Sequence, residues 1–192
     1  YDREGNSLAE GEIHGQNGGY PIAIALSNDA EKLAVSMINI NEGSVKSTIA
    51  FYNYGTVGQN EIDHCVGVNN YDDMVIPEME FTSNDRMVAF GDTKAVIFEG
   101  AQKPQAIAEI PMDEKTKSIF YNEHYIGIVT GNEDEAVTNH LAVYDENGKL
   151  VMEKDFGLDY SSIEFLTNNE ICIRNANVCD IYTVHGAVSY TH

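Results

Sequence analysis

Six histidines, three cysteines and a large excess of carboxylates are the side chains of this sequence with the means to do chemistry. His14, His64, His124, His140, His185 and His192 are scattered, and no pair has the H-x-H or i, i+4 spacing of a metal site. They read as structural or solvated groups. No G-x-S-x-G is present and the serines gather in turns, so no hydrolase nucleophile is set up. Cys65, Cys172 and Cys179 are odd in number and form no C-x-x-C, which excludes a disulfide framework. Cys172 and Cys179 flank a tight turn at Asn175-Ala176, where a cross-strand disulfide is one reading. Their alignment with Val88 and Ala95 favours the other, two small apolar core residues. Gly15-Gln16-Asn17-Gly18-Gly19 leads through Pro21 into a strand, without the lysine and helix that a phosphate loop needs. Asp145-Glu146-Asn147-Gly148 resembles the start of a calcium loop, but position 12 is Phe156 where a bidentate glutamate belongs, so a turn is expected.

Charge narrows the classes further. The 192 residues carry 11 Lys+Arg and 31 Asp+Glu, a net charge of −20. With carboxylates outnumbering bases almost three to one, there is no basic excess to neutralise phosphates, so no nucleic acid partner is expected. Apolar content of 43% with 22% charged residues argues for a folded core. No apolar run approaches the roughly 18–20 residues of a bilayer-spanning helix. Tryptophan is absent, which removes indole faces as docking surfaces, and no cofactor is expected.

The elements that would position these groups come from an internal repeat. An alternating apolar run ending in an aromatic, then a polar residue and a glycine turn, recurs at Ile49–Asn53, Ala95–Gly100, Leu141–Gly148 and Cys179–Thr183. Its aromatics Tyr52, Phe98, Tyr144 and Tyr182 are 46, 46 and 38 residues apart, the spacing of four-stranded propeller blades. An Asn/Asp/Ser turn precedes each copy, at Ser27-Asn28-Asp29, Ser83-Asn84-Asp85, Asn122-Glu123 and Thr167-Asn168-Asn169. The flanking runs are rich in Val, Ile, Phe and Tyr, which suits strands. Each unit therefore reads as strand a, an Asn-Asp turn, strand b, a hairpin, strand c, a glycine turn and strand d.

The expected fold is all-β, a β-propeller or propeller segment with about four blades of four antiparallel strands. Residues 1–192 form a single such domain or fragment. Within it, 1–13 end a preceding blade, and 20–68, 74–111, 115–155 and 160–192 are blade units. Tyr1-Asp2-Arg3-Glu4-Gly5 resembles Tyr144–Gly148, which places residue 1 at the end of a third strand. The leading expectation is an arc of a propeller with six to eight blades. A closed four-bladed ring, with Ser7–Ile13 as the outer strand of the last blade, is the alternative, and a sandwich or barrel is the third.

The units resemble the YVTN/WD40-like β-propeller superfamily, most clearly in Tyr144-Asp145-Glu146-Asn147-Gly148-Lys149-Leu150-Val151. Val57-Gly58-Gln59-Asn60 and Lys117–Asn122 are similar to phrases of an uncharacterised Firmicutes family, a domain of unknown function. That resemblance implies an extracytoplasmic propeller anchored to the cell surface by one N-terminal span. It supplies no catalytic residues. The sequence departs from the strict WD40 pattern in lacking Trp-Asp and Gly-His.

Loop lengths point to where binding is expected. The b–c hairpins Gly91–Thr93 and Asn175–Asn177 read as tight, Ile40–Ser47 and Gly131–Asn139 as long. In a propeller these share a face with the d–a connections His14–Tyr20, Asn69–Asp73, Met112–Thr116 and Phe156–Tyr160. The resulting candidate binding residues are Tyr71, Asp72, Asp73, Asp113, Glu114, Glu133, Asp134, Glu135, Asp159 and Tyr160. They suit a cationic or polar partner, an unknown protein or polar ligand, or a weak Ca²⁺ site, and the competing reading is ordinary solvation. Exposed blade faces add self-association as an expectation. A non-catalytic binding module is therefore the leading function. The alternative is a glycan-processing or lactonase-like propeller enzyme with its site at the central channel. The a-strand starts speak against it: among Pro21-Ile22-Ala23, Ile76-Pro77-Glu78, Lys117-Ser118-Ile119 and Ser161-Ser162-Ile163, only Glu78 is acidic.

Overall fold

A computed structural model describes residues 19–41, 43–55, 65–100, 103–113, 115–131, 138–186 and 188–191. Among them the only regular elements are strands, sixteen in all: β1 (Tyr20–Leu26), β2 (Lys32–Asn41), β3 (Ser44–Asn53), β4 (Cys65–Asp72), β5 (Glu78–Ser83), β6 (Arg86–Phe90), β7 (Lys94–Glu99), β8 (Gln105–Pro111), β9 (Thr116–Tyr121), β10 (Tyr125–Gly131), β11 (Asn139–Asp145), β12 (Leu150–Phe156), β13 (Ser162–Phe165), β14 (Glu170–Arg174), β15 (Cys179–Thr183) and β16 (Val188–Thr191). They form four sheets of four, each a meander in chain order. The chain divides into two compact units, with boundaries at 92/93, 97/98 and 106/107.

The repeated aromatic marks a specific backbone event. In three sheets the pairing of third and fourth strands shifts register where the third strand reaches its tyrosine, between Phe51 and Tyr52, Val143 and Tyr144, and Ile181 and Tyr182. One extra residue on the fourth strand produces a bulge there, which bends and twists the sheet. At these three copies the repeat in the sequence is thus a repeat of bulge position.

One hairpin departs from the sequence reading. Ile40–Ser47 is not a long loop: β2 and β3 stay paired as far as Asn41↔Ser44, so only two residues connect them. Gly43, at φ +83°, supplies the left-handed turn residue. The alternation of polar Asn39, Asn41 and Ser44 with apolar Ile40 and Val45 carries the ladder beyond the core. Likewise Asn69–Asp72 belong to β4 rather than to a connection.

In the first unit Phe51 and Phe98 meet with ring centroids 5.1 Å apart, and both are fully buried. The two a–b turns are joined by polar contacts. The Asp29 amide donates to Asn84 Oδ1 at 3.2 Å, and buried Lys32 reaches Asp85 at 3.0 Å. The Ser27 hydroxyl, helped by the Glu31 amide and Lys32, holds the Asp29 carboxyl below its usual value. This turn therefore weakens as pH falls through the carboxylate range. Asp85 is half-exposed, so its pair with Lys32 is partly screened. A Lys32→Met, Asp85→Asn double-mutant cycle read by urea denaturation is expected to give a coupling of about 1 kcal/mol. Zero coupling would remove the clasp from the account.

In the second unit one cluster joins Val129, Leu141, Val143 and Met152 to Ile171, Ile173, Tyr182 and Val184. Phe120 lies across Gly127, its partner on β10, and against Phe165 at 4.8 Å. The turn expected at Asp145–Gly148 is present. Asp145 Oδ1 accepts from the Asn147 and Lys149 amides, both at 2.9 Å, and Gly148 has φ +74°. Asp145 Oδ1 caps its own turn.

Candidate functional site

Of the described candidate binding residues, Asp73, Asp113, Asp159 and Tyr160 lie on connections between sheets and Tyr71 and Asp72 end β4; two of these connections, one in each unit, are held tightly. In the first unit it is the segment 73–77. Two buried serines donate into it, Ser47 to the Met74 carbonyl at 2.6 Å and Ser36 to the Ile76 carbonyl at 2.8 Å. From the following sheet, Asp92 Oδ1 accepts from the Val75 amide at 3.1 Å, and the Asp92 amide donates to the Val75 carbonyl. Met74 and Ile76 are thereby pressed fully into the core.

The second unit solves the same problem with different residues on the segment 157–161. Asn139, buried at the start of β11, donates from Nδ2 to the Leu158 carbonyl at 3.0 Å and accepts from Lys117 Nζ at 3.3 Å. Asn175, in the β14–β15 turn, donates to the Asp159 carbonyl at 2.9 Å. The Tyr160 and Ser118 hydroxyls share a hydrogen bond of 2.7 Å.

These contacts sort the sequence candidates. Asp72 is exposed and pairs with Lys46 at 3.0 Å. Asp73 is exposed at φ +51°, with its amide donating to the Val45 carbonyl at 2.8 Å. Tyr71 is half-buried opposite Ser47. Asp113 is exposed and caps the Lys115 amide at 2.9 Å. Asp159 is exposed. Tyr160 is half-buried against the core, its ring 5.7 Å from that of Phe156. Tyr71, Asp72 and Asp73 are consecutive in one unit; Asp113, Asp159 and Tyr160 lie in the other. Glu114, Glu133, Asp134 and Glu135 lie outside the described residues.

Sequence reasoning missed the residues that fix these connections: Ser36, Ser47, Asp92, Asn139 and Asn175. A signal was present in the small polar residues interrupting apolar strand runs, as Ser36 does between Val35 and Met37. Also missed was the setting of His140. Its ring lies 2.8 Å from Asp155 and 3.7 Å from Glu153, both on the paired strand β12. Spacing along one strand could not reveal that cross-strand arrangement. Among the described residues no three His, Cys, Asp or Glu side chains converge as a metal site would require. Ser47→Ala is expected to cost about 1 kcal/mol in urea denaturation, the net value of one hydrogen bond. A neutral result would mean water replaces the hydroxyl.

Solved structures similar to this chain are propellers and proteins that contain them. The propeller domain of the Trilobed protease from Pyrococcus furiosus superposes with TM-score 0.53 at 13% identity, over 91% of this chain and 56% of its own. A putative 6-phosphogluconolactonase from Bacteroides uniformis gives TM-score 0.54 at 14% identity, over 91% of this chain and 54% of its own. Pyrococcus horikoshii acylaminoacyl peptidase gives 0.53 at 11%, over 92% of this chain and 32% of its own. The chain thus spans between a third and somewhat over half of these proteins. At such identities the likeness shows the fold, a β-propeller fold, and not the activity. No curated protein matches the chain. The model of the Family of unknown function (DUF5711) matches residues 1–192, and the chain belongs to that family.

Proposed function

We propose that this chain is a non-catalytic interaction module, the extracytoplasmic part of a bacterial surface-anchored protein. It presents carboxylates on fixed connections to a cationic or polar partner. The observation that supports this reading is the clamping of segments 73–77 and 157–161 by side chains from the sheets on either side. Asp72, Asp73 and Asp159 stand exposed on or beside backbone that is already ordered, so a partner would meet little conformational entropy cost. The runner-up, a lactonase-like or glycan-processing enzyme, draws support from fold likeness alone.

The test compares two variants of equal net charge. In one, Asp72, Asp73, Asp113 and Asp159 become asparagine; in the other, Glu80, Glu109, Glu123 and Glu153 become glutamine. A deca-lysine peptide serves as a defined cationic probe. The first variant is expected to bind it about tenfold more weakly than the second at moderate salt. Equal weakening in both would reduce the effect to overall charge and sink the proposal.

A further inference from the structure

Cys172 and Cys179 are an arrangement that the binding reading leaves unused. Both are thiols, and their sulfurs lie 3.4 Å apart. They occupy diagonal positions on neighbouring strands, since Cys172 pairs with Ile181 and Cys179 with Arg174. Glu164 stands opposite Cys172, and its carboxylate lies 3.4 Å from Arg174. The four-residue turn 175–178 is closed by the Asn175 amide on the Val178 carbonyl, and Asn175 Oδ1 accepts from the Asn177 and Val178 amides. The two strands are therefore held in register close to the thiols.

We propose that Cys172 and Cys179 are a redox-convertible dithiol, a modification site that exchanges with disulfide donors and closes to a cross-strand disulfide. Bonding needs the sulfurs to approach from 3.4 Å to about 2.05 Å, a movement of about 1.4 Å shared between two side chains. The two cysteines have different parts. Cys179 is half-buried, whereas Cys172 is buried. Burial, with the hydrogen bond to Cys179, pushes the Cys172 thiol up to about 11. Cys179 is thus the thiol that attacks an external disulfide, through its thiolate. Attack forms a mixed disulfide on Cys179 and expels one thiolate of the donor. Cys172 then attacks the Cys179 sulfur, forms the internal bond and expels the second thiolate. The two thiol protons pass to the two leaving thiolates, so one donor disulfide is reduced to two thiols as the protein dithiol is oxidised. The new bond ties β14 to β15 beside the turn whose Asn175 holds the Asp159 carbonyl.

Oxidised glutathione is the probe, with the intact protein read by mass spectrometry and the bonded peptides identified after digestion. The wild type is expected to lose two hydrogens in mass, with Cys172 linked to Cys179 and Cys65 still able to take N-ethylmaleimide after unfolding. Cys172→Ser is expected to stop at a stable glutathione adduct on Cys179. Cys179→Ser is expected to form a glutathione adduct on Cys172 at least about tenfold more slowly, because that thiol is buried. Wild type that keeps all three thiols, or that retains glutathione without closing, would overturn the proposal. So would a bond involving Cys65. The wild-type result stands whether or not either variant folds.

Discussion

Gly127→Ala is expected to destabilise the chain by about 1–3 kcal/mol, although alanine is ordinarily the better strand residue. A β-carbon at 127 would lie 2.2–2.7 Å from three atoms of the Phe120 ring. The ring cannot simply swing away. It packs against Phe165, with ring centroids 4.8 Å apart, and belongs to the buried cluster of the second unit. Phe120→Ala removes that ring and is expected to cost about 3–5 kcal/mol. In the Phe120→Ala background the sign for position 127 reverses. The added methyl then fills part of the space, and the glycine's backbone entropy is no longer a cost, so Gly127→Ala becomes neutral or stabilising by up to about 1 kcal/mol. Urea denaturation of the four proteins measures the cycle. Additive effects would show that glycine at 127 has nothing to do with the ring.

Asn139→Leu is expected to cost about 1–3 kcal/mol, because it strands the Leu158 carbonyl and removes the acceptor for Lys117. Shape is nearly conserved, so the loss isolates the hydrogen bonds. Asn139→Asp separates them further. It keeps an acceptor for Lys117 but sets a carboxylate against the Leu158 carbonyl, and should cost at least as much as leucine. Amide hydrogen exchange should speed up in segment 157–161 in both variants while β14 remains protected. If exchange rises everywhere alike, Asn139 supports the core in general and not the connection that carries Asp159 and Tyr160.

The repeated aromatic was legible because in three of the four sheets a bulge recurs at the same place and a tyrosine stands there. Tyr52, Tyr144 and Tyr182 carry that period in the order of the residues alone. The hairpin at 40–47 was misread because Asn39, Asn41 and Ser44 look like loop residues, whereas an alternating ladder outside the core is free to be polar. The candidate carboxylates were legible only as a list. Whether Asp113 caps a turn or Asp72 meets Lys46 depends on pairing across strands, which sequence spacing does not encode. The clamps on 73–77 and 157–161 were hidden for another reason. Ser36 and Ser47 in one unit and Asn139 and Asn175 in the other do the same work, so no shared motif announces it.

Presentation of carboxylates on fixed connections is the central claim, and cross-linking mass spectrometry on intact cells producing the protein addresses it most directly. A carboxylate-to-amine cross-linker is the reagent. The account predicts intermolecular links concentrated at Asp72, Asp73, Asp113 and Asp159, to lysines of a recurrent partner on the outer face of the membrane. Links spread evenly over these four and the other carboxylates of the strands, or confined to cytoplasmic proteins, would contradict it.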